Sequence, residues 1–555
     1  MLPDDSPVPP EAPSGVSPPR GRFAAGLLTV ATSTLLSRIL GMVRDVVTAR
    51  MFGVSPVTDA FWLAFKIPNL ARRLFGEGAL TAAFLPAFTR ELAVGSGAPS
   101  PAAWRLASGT FCYLGLFLSV LVLLAELLLA ILGVWWIDDP HTQLLVRLTG
   151  VMLPYAILIC LAAQVTAVLH ALGHFRWPAL VPVALNVLWI SSIWLVDPWF
   201  EPDRVAQAYA LAVCVVVAGW CQLLLQWPTL HRLGFRLHAD WRASWPRVRE
   251  IFLAMLPVIF GLSVEQINIL VDGLIAWGFS QSADGLPMPL PGNPPYPMQA
   301  GAVSALYFGE RLYQFPVGVF GVALGTVLFP LFARHAARGE LNRLRDDLGM
   351  GLRLVLAIGV PASVGLIVVA EPLTRLLLEH GEFTADDARR TAALIVAYGS
   401  GVWAFCSLPI LYRGFYALGD RLTPVRVGLW AVAGDTVLNL TLIWPLAERG
   451  LAWSTALSAI GQMTCLVWLI QRRLGRLDWS ALRWTAGRTM AATTLMVVAC
   501  QLARRWFPWS ENHWEQILAL GAPVTLGAIT YLVAAKLLGL KEIGRLFTRA
   551  DVEGA

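Results

Sequence analysis

Apolar stretches of about 20 residues or more follow one another along nearly the whole chain, and polar residues are concentrated between them. A helix of about 20 apolar residues crosses the roughly 30 Å hydrocarbon core of a bilayer. The pattern therefore predicts an all-α, polytopic membrane protein with about fourteen transmembrane helices. Their approximate spans are 24–50, 57–91, 105–133, 143–170, 178–197, 205–230, 250–279, 303–334, 346–370, 387–417, 424–446, 450–471, 484–506 and 514–537.

Two stretches near the start, TLLSRILGMVRDVVTARMFG and TDAFWLAFKIPNLARRLFGEGALTAAFLP, interrupt this apolar pattern with charges. Charged side chains are costly at membrane depth, so they usually face a protein interior or a wet cavity. Most of the charges are cationic, which indicates a cavity for an anion. The charged residues include Arg38, Arg44, Asp45, Asp59, Lys66, Arg72, Arg73 and Glu77.

Composition supports a membrane protein and excludes other classes. Of 555 residues, 57% are hydrophobic and 14% are charged, whereas a soluble protein would be roughly a quarter charged. The net charge of +6 comes from basic residues in alternate loops, as the positive-inside rule expects, so we predict no nucleic-acid partner. The seven cysteines lie in apolar stretches without CxxC spacing and predict neither disulfides nor a metal cluster.

The arginine-rich loops predict the orientation in the membrane. Loops HRLGFRLHADWRASWPRVRE, ARHAARGELNRLR and QRRLGRLDW share one side, and loops WWIDDPH and VDPWFEP on the other side contain no Lys or Arg. Both termini are therefore predicted to be cytoplasmic. The Pro-, Ser- and Gly-rich segment 1–22 is predicted to be disordered, and the next stretch to be an uncleaved helix rather than a signal peptide.

A weak internal repeat divides the chain. HALGHFRWPALVP is echoed by YALGDRLTPVRVG, LHRLG by QRRLG, and FLPAF by LFPLF, with a period of about 240–246 residues that encloses six helices. An even number of helices returns the chain to the same side, so we predict two parallel six-helix lobes around a central cavity. The predicted divisions are a tail 1–22, a first lobe 23–235 with helices 1–6, a second lobe 236–475 with helices 7–12, two further helices in 476–540 and a cytoplasmic tail 541–555.

Some of these charges have local explanations. Arg44 and Asp45 either satisfy each other or contribute to the cavity, and Arg311 either pairs with Glu310 or adds a cation from the second lobe. Snorkelling to the headgroups suits Arg73 and Asp59, which lie near the predicted ends. It suits Lys66 poorly, because Lys66 lies some two turns or more from either end of its predicted helix.

A second polar group lies deeper in the second lobe. Asp272 is in the seventh helix, Asp435 and Asn439 are four apart in the eleventh, and Thr455 is in the twelfth. Their oxygens suit a hard monovalent cation such as Na⁺. Interhelical hydrogen bonding with a protonated aspartate fits the same residues equally well. The chain has no GxxxxGK[ST], HExxH or GxSxG motif, so we predict a transporter and not an enzyme.

The segments SRILGMVRD, TDAFWLAFKIPNLARRLFGEGA and FGERLYQFPVGVFGVALGTVLFP resemble the lipid II flippases of the MurJ/MviN type, which belong to the multidrug/oligosaccharidyl-lipid/polysaccharide exporter superfamily. The resemblance covers roughly residues 24–540. It implies functional roles in or near the cavity for Arg38, Arg44, Asp59, Arg72 and Arg311, to which the residue pattern adds Asp45 and Lys66. It implies a sodium site of Asp272, Asp435, Asn439, the Leu451 carbonyl and Thr455.

Four features depart from the family pattern, one of which is Glu265 in the seventh helix, in place of a small polar residue. Glu310 stands where the family often has Asp, and Asp435 and Asn439 exchange carboxylate and amide. The Pro-rich loop 281–300 looks like an insertion. The exchange keeps the charge count of the predicted sodium site while placing its geometry and ion choice in question.

The resemblance implies a function. The expected activity is to move undecaprenyl-pyrophosphate-linked disaccharide-pentapeptide (lipid II) from the cytoplasmic to the periplasmic leaflet of the bacterial inner membrane by alternating access. Membrane potential, Na⁺ or both would drive it, with no other cofactor. Expected partners are lipid II, membrane lipids and the cell-wall synthesis machinery. The alternatives are another superfamily exporter, for a drug or an O-antigen or polysaccharide lipid, and a membrane enzyme that uses a polyprenyl phosphate.

Overall fold

The computed structural model describes residues 20–93, 100–135, 139–237, 241–281, 287–288, 293–510, 512–542 and 544. Over these residues it is all-α, with no β-sheet. Residues 1–19 of the predicted tail 1–22 lie outside the described residues, and α1 begins at Arg20. Residues 282–286 and 289–292 of the Pro-rich loop 281–300 and most of the tail 541–555 also lie outside the described residues.

The helices follow the predicted spans closely. They are α1 Arg20–Phe52, α2 Pro56–Ala71, α3 Ala79–Ala93, α4 Pro101–Trp135, α5 Pro140–Ala171, α6 Arg176–Phe200, α7 Arg204–Arg232, α8 Trp245–Gly278, α9 Ala302–Pro316, α10 Ala323–Ala337, α11 Leu341–Leu378, α12 Ala385–Gly399, α13 Val402–Ala417, α14 Leu422–Leu446, α15 Glu448–Leu474, α16 Trp479–Trp506 and α17 His513–Leu537. Among the described residues, ten spans are long and apolar enough to cross a membrane, or eleven if α12 and α13, which meet at 44°, form one span. The predicted fold class is confirmed, and the count of fourteen is roughly consistent with these helices.

Local chemistry explains why α5 and α13 end at the repeated ALG sequence. Gly173 and Gly419 adopt positive φ angles of 76° and 75° directly after α5 and α13. A left-handed residue after a helix lets the next backbone N–H reach back to a free carbonyl, and glycine adopts it without strain. His174 and Asp420 make these bonds, to Leu169 O at 2.8 Å and to Phe415 O at 3.0 Å. The repeat therefore encodes the same helix stop twice.

Buried apolar side chains form two large cores and a small one. The first lies mainly among α2–α7 and contains Phe61, Trp62 and Trp189. The second lies mainly among α9–α15, and the third joins α16 and α17. We use "first lobe" for α1–α7 and "second lobe" for α8–α15. Helix α8 contacts α3 and α4 as well as α9 and α14, so it crosses from one lobe to the other.

Two spans contain a π-helical segment, at equivalent places in the two repeats. Arg72–Gly78 separates α2 from α3, and Val317–Val322 separates α9 from α10. The FLPAF and LFPLF sequences follow them in α3 and α10. π turns leave backbone groups differently paired from those of an α-helix and often occur at functional positions. Both of these segments lie in helices that supply residues to the site described next.

Candidate functional site: an arginine cluster and cavity between the lobes

Two arginines from different lobes meet at one buried carboxylate. Arg44 donates to Asp45 Oδ1 through Nε at 3.0 Å and Nη2 at 2.7 Å. Arg311 Nε lies 3.2 Å from Asp45 Oδ2. The Tyr307 hydroxyl donates to Asp45 Oδ1 at 3.2 Å and accepts from Arg311 Nη2 at 3.1 Å. Arg44 also donates to Tyr307 Oη and to Asn186 Oδ1, each at 3.3 Å. We call these five residues the arginine cluster; its two cations face one anion.

Aromatic rings fix the arginine cluster and exclude water from part of it. Trp62 stacks on Tyr307 with ring centroids 3.6 Å apart, and both rings are buried. The Arg44 guanidinium lies over Trp189, 4.9 Å from its ring centroid. The side chains of Arg44 and Asp45 are only 7% and 5% exposed. Charge interactions are stronger where water is excluded, so this ion pair within α1 and its bonds to Asn186, Tyr307 and Arg311 hold α1 firmly against its neighbours.

A cavity of about 60 Å³ with an open mouth lies beside the cluster. Arg311, whose side chain is 37% exposed, and Lys66 both reach it. A β-carbon on Gly273 would lie 3.3 Å from Lys66 Nζ, so this glycine leaves room for the ammonium group. The cavity is lined by Trp62, Phe65, Lys66, Asn69, Leu70, Arg73, Gln266, Ile269, Leu270, Tyr307, Glu310, Arg311 and Gln314. Its walls therefore carry cations from both lobes together with several neutral amides.

The neighbouring residues Arg72 and Arg73 differ in whether they line the cavity. Arg72 donates from Nε to Asn69 Oδ1 at 2.9 Å and is not among the cavity-lining residues. Arg73, which we expected near the headgroups, lines the cavity and donates to Gln266 Oε1 at 3.2 Å. The two residues lie at the same depth, near the middle of the stretch from α2 to α3. They face different surroundings because successive residues of a helix point in different directions around its axis. The side chain of Glu77 lies outside the described residues.

Arg38 and Asp59 lie apart from the cluster. Arg38 is exposed, and its guanidinium faces the π segment of the second lobe, where a β-carbon on Gly318 would lie 3.4 Å from Nη1. Asp59 is fully buried and accepts from the Ser304 backbone N–H at 2.7 Å and from the Ser304 hydroxyl. It thereby caps the start of α9, where helix N–H groups lack partners. In this conformation Asp59 joins the lobes and does not reach the cavity.

The second polar group also assembles. Asn439 donates to Asp272 Oδ1 at 2.7 Å and to Asp435 Oδ2 at 3.4 Å. Asn268 donates to the same two carboxylates, at 3.2 Å to Asp272 Oδ2 and at 3.1 Å to Asp435 Oδ2. Ser454 donates to Asn439 Oδ1. The two aspartates from α8 and α14 therefore lie within reach of one small site.

The oxygens of this carboxylate site fit a hard cation such as Na⁺. Asp435 Oδ1 and Asn268 Oδ1 are buried without a hydrogen-bond partner, and buried acceptors rarely stay unpaired. Thr455 donates to the Leu451 carbonyl at 2.9 Å, so these two predicted ligands already contact each other. Within the part of the chain that the structure describes, no three His, Cys, Asp or Glu side chains gather to hold a metal ion. Two carboxylates with neutral oxygens suit Na⁺ better than a transition metal.

Sequence reasoning missed Tyr307, Asn186, Asn268 and Ser454. Tyr307 and Asn268 each precede a predicted site residue by four positions, Arg311 and Asp272. Residues four apart lie on the same helix face, so this spacing was a usable signal. Asn186 and Ser454 come from helices whose approach depends on the tertiary fold.

Comparison with known proteins identifies the family. The family model described as lipid II flippase MurJ matches residues 48–537. The probable lipid II flippase MurJ of Vibrio cholerae serotype O1 is 32% identical over 544 residues, covering 93% of this chain and 96% of that protein. The lipid II flippase MurJ of Burkholderia cenocepacia is 30% identical, covering 93% and 97%. The chain belongs to the lipid II flippase MurJ family.

Solved structures agree on the fold. The chain superimposes on a structure of "Lipid II flippase MurJ, inward closed conformation" with a TM-score of 0.71 at 21% identity, covering 93% of this chain and 100% of that one. It resembles an inward-facing multidrug resistance MATE transporter with a TM-score of 0.58 at 12% identity, covering 82% and 99%. The protein is thus a multi-pass transporter of the MurJ family and not an enzyme, as predicted. The roles of individual site residues remain predictions.

Proposed function

We propose that this protein moves lipid II from the cytoplasmic to the periplasmic leaflet of the bacterial inner membrane. The relatives' names supply the substrate, and the arginine cluster is the observation that carries the proposal. Arg44 and Arg311 come from different lobes, converge on one carboxylate and lie beside a cavity that holds Lys66 and Arg73. Such a site suits a lipid-linked diphosphate, which needs fixed donors to replace the water that it loses.

The contacts of Asp45 indicate how the site works. In the structure its carboxylate occupies both arginines, as a phosphate would. A diphosphate carries about two negative charges and accepts bidentate contacts from arginine. It would compete with Asp45 for Arg311, the more exposed of the two arginines. Binding of the headgroup would then weaken a contact that holds the lobes together.

Alternating access follows from where the lobes touch. Contacts between α1–α7 and the second lobe include Asp59 with Ser304, His141 stacked on Trp277 at 4.0 Å, and an ion pair of 2.7 Å between Arg204 and Glu382. These contacts lie at the end of the bundle whose loops carry few basic residues, which the positive-inside rule assigns to the periplasm. The proposed cycle opens this end after the headgroup binds from the cytoplasmic side. Both termini are cytoplasmic in this proposal.

Sodium and the membrane potential are the proposed energy sources. Asp272, Asp435, Asn439, Asn268 and Ser454 would hold Na⁺. Leu451 and Thr455 are the other proposed ligands, and Thr455, which donates its hydroxyl proton to the Leu451 carbonyl, keeps lone pairs for the ion. A potential of 100 mV contributes about 2.3 kcal/mol per charge, so roughly 5 kcal/mol for two negative charges moving outward. Lys66 lies next to Gly273, close enough to Asp272 for their charges to interact, and would link the two sites. Membrane lipids surround the protein, and the cell-wall synthesis machinery is the proposed partner.

Reconstitution tests the proposed function. Purified protein in vesicles should move fluorescent lipid II between leaflets, and Arg44→Ala and Arg311→Ala should each reduce the rate by at least tenfold. Arg483→Ala is the matched control, because Arg483 is exposed on α16. Normal transport by both cluster variants would refute the anion cavity. Efficient transport of an O-antigen lipid or a cationic drug, without transport of lipid II, would instead identify another exporter of this superfamily.

A further inference from the structure

Tyr307 has a position that no prediction assigned to it. Its hydroxyl is the one uncharged group of the arginine cluster that touches both guanidinium groups, at 3.1 Å and 3.2 Å for Arg311 and 3.3 Å for Arg44. The ring cannot turn away, because Trp62 stacks on one side and Phe308 packs edge-on with centroids 5.6 Å apart. The hydroxyl is therefore held at a fixed point between two cations.

We propose that Tyr307 is a positioning residue that keeps Arg44 and Arg311 aligned for the anionic headgroup. Asp45 also aligns the arginines, but it neutralises one charge and must yield when a phosphate arrives. The Tyr307 hydroxyl orders both guanidinium groups without neutralising either. It therefore continues to hold them apart once the Asp45 carboxylate is displaced.

Preorganised donors bind a phosphate without first losing side-chain freedom, and a flexible arginine loses about 2 kcal/mol of rotamer entropy when it is fixed. Without the hydroxyl, Arg311 keeps its ion pair with Asp45 and its position over the ring of residue 307, 5.2 Å from the centroid. Its guanidinium group would then have no hydrogen-bonding partner in the cluster once the Asp45 carboxylate leaves. The loss of this alignment should appear only for ligands that carry phosphate. A residue that merely packs the core would affect charged and neutral ligands alike.

The proposal rests on the proposed function and is tested with Tyr307→Phe, which keeps the ring and its stacking on Trp62. Binding of undecaprenyl diphosphate and of neutral undecaprenol is measured on purified protein in nanodiscs. We expect the diphosphate lipid to bind about tenfold more weakly, as for one lost hydrogen bond to a charged group, with undecaprenol unchanged. Tyr313→Phe is the matched control, because Tyr313 lies in the same helix and is also buried and stacked, on Tyr398 at 4.7 Å.

Unchanged diphosphate binding by Tyr307→Phe, with Arg311→Ala impaired, would overturn the inference while leaving the proposed function intact. An equal loss for undecaprenol would also overturn it, because that result indicates only a packing role. Wild-type protein that binds both lipids alike would instead refute the proposed function. Diphosphate binding that is about tenfold weaker in Tyr307→Phe and unchanged in Tyr313→Phe, with undecaprenol binding unchanged in both, supports the inference.

A second, independent observation concerns the two π segments. Gly76 packs on Cys160 of α5, where its β-carbon would lie 3.4 Å from the Cys160 Cα. Gly321 packs on Cys406 of α13, where a β-carbon would lie 2.8 Å from the Cys406 Cα. The two glycines are 245 positions apart and the two cysteines 246, which is the period of the repeat. Each lobe thus contains the same joint, a π turn whose glycine lies directly on a cysteine.

The geometry points to a pair of hinges. Cys160 Sγ donates to the Ala71 carbonyl at 3.5 Å, just before the first π segment, which pairs a backbone group where the helix widens. On either side of each joint the helix is regular, and the halves before the joints carry Lys66 and Arg311. We infer that the spans α2–α3 and α9–α10 bend at these joints when the lobes rearrange. Bending there would move α3 and α10 relative to the cationic cavity walls.

The native cysteines report this motion without any substitution. Cys160 and Cys406 are buried under the glycines, and Cys500 is buried elsewhere, against Gly527 in the α16–α17 pair. N-ethylmaleimide modification is followed by mass spectrometry, with and without lipid II. If the joints bend during the cycle, lipid II should speed labelling of Cys160 and Cys406 severalfold and leave Cys500 unchanged.

Equal labelling rates with and without lipid II, in protein shown to bind it, would overturn the hinge inference. Faster labelling of all three cysteines would overturn it too, since that result means general loosening. A protein that fails to bind lipid II refutes the proposed function instead.

Discussion

Asp59 should control how firmly the lobes close at the end where α2 meets α9. The carboxylate is fully buried and accepts two hydrogen bonds from Ser304, one from the backbone N–H at 2.7 Å and one from the hydroxyl. Replacing Asp59 with Ala leaves both donors buried without this acceptor. We therefore expect Asp59→Ala to destabilise the closed state while leaving the cavity residues in place.

The structure gives the size of this effect. A hydrogen bond to a charged group contributes about 1.5–3 kcal/mol, and removing the buried carboxylate returns part of this because its desolvation cost disappears. The closed state should therefore lose a net amount on the order of 2–3 kcal/mol of stability relative to the open state. It corresponds to about a 30- to 150-fold shift from closed to open lobes. A protein that is about 99% closed would become roughly a quarter to 60% open.

Cross-linking measures the shift. Arg204 and Glu382 form an ion pair of 2.7 Å between the lobes, so cysteines at both positions can be joined by a short, membrane-impermeant bismaleimide. Both side chains are partly exposed, and removing an exposed pair costs little. We expect a markedly lower yield in Asp59→Ala. Asp386→Ala, at an exposed acid in the first turn of α12, should match the parent. An undiminished yield in folded Asp59→Ala would refute the reasoning.

Three further predictions concern separate sites. Lys66→Met should strengthen Na⁺ binding about fivefold, because it removes one positive charge near Asp272, a contribution on the order of 1 kcal/mol. Titration with NaCl, with KCl as the control, measures the binding midpoint, and an unchanged midpoint contradicts this prediction. Arg390→Ala should lower the unfolding temperature clearly more than Arg389→Ala does. Arg390 pairs with buried Glu448 and donates to the Ala300 carbonyl at 2.8 Å, and breaking a buried ion pair costs about 3–5 kcal/mol. Equal melting of the two variants argues against this. Burial, then the charges of His513 and Arg50, lower the pKa of His380 in the loop after α11. As the pH falls, His380 in the unfolded chain binds a proton before His380 in the folded protein does, so the free energy of unfolding should decrease below about pH 6.5. His380→Gln should make the unfolding temperature depend less on pH. An unchanged pH dependence in this variant would disprove the prediction.

The sequence predicted the fold well because membrane spans depend on local composition. Any apolar run of about 20 residues must pair its own backbone in a bilayer, so its length and its flanking charges locate the helix. The ALG repeats predicted equivalent helix ends, since Gly173 and Gly419 each end a helix in the left-handed conformation. The π segments at Arg72–Gly78 and Val317–Val322 were not predicted, because a single widened turn leaves no periodic signal.

For the site, the sequence determined which side chains had to avoid lipid, and the tertiary structure decided what each one meets. Lys66, Arg44 and Arg311 could be identified as cavity candidates because a charge in an apolar helix is costly wherever that helix lies. Whether a charge faces the cavity, a partner or the other lobe depends on helix rotation and approach, which no local pattern fixes. Asp59 was therefore placed among the cavity residues although it is sealed against Ser304, and Tyr307 was overlooked although its hydroxyl joins both arginines.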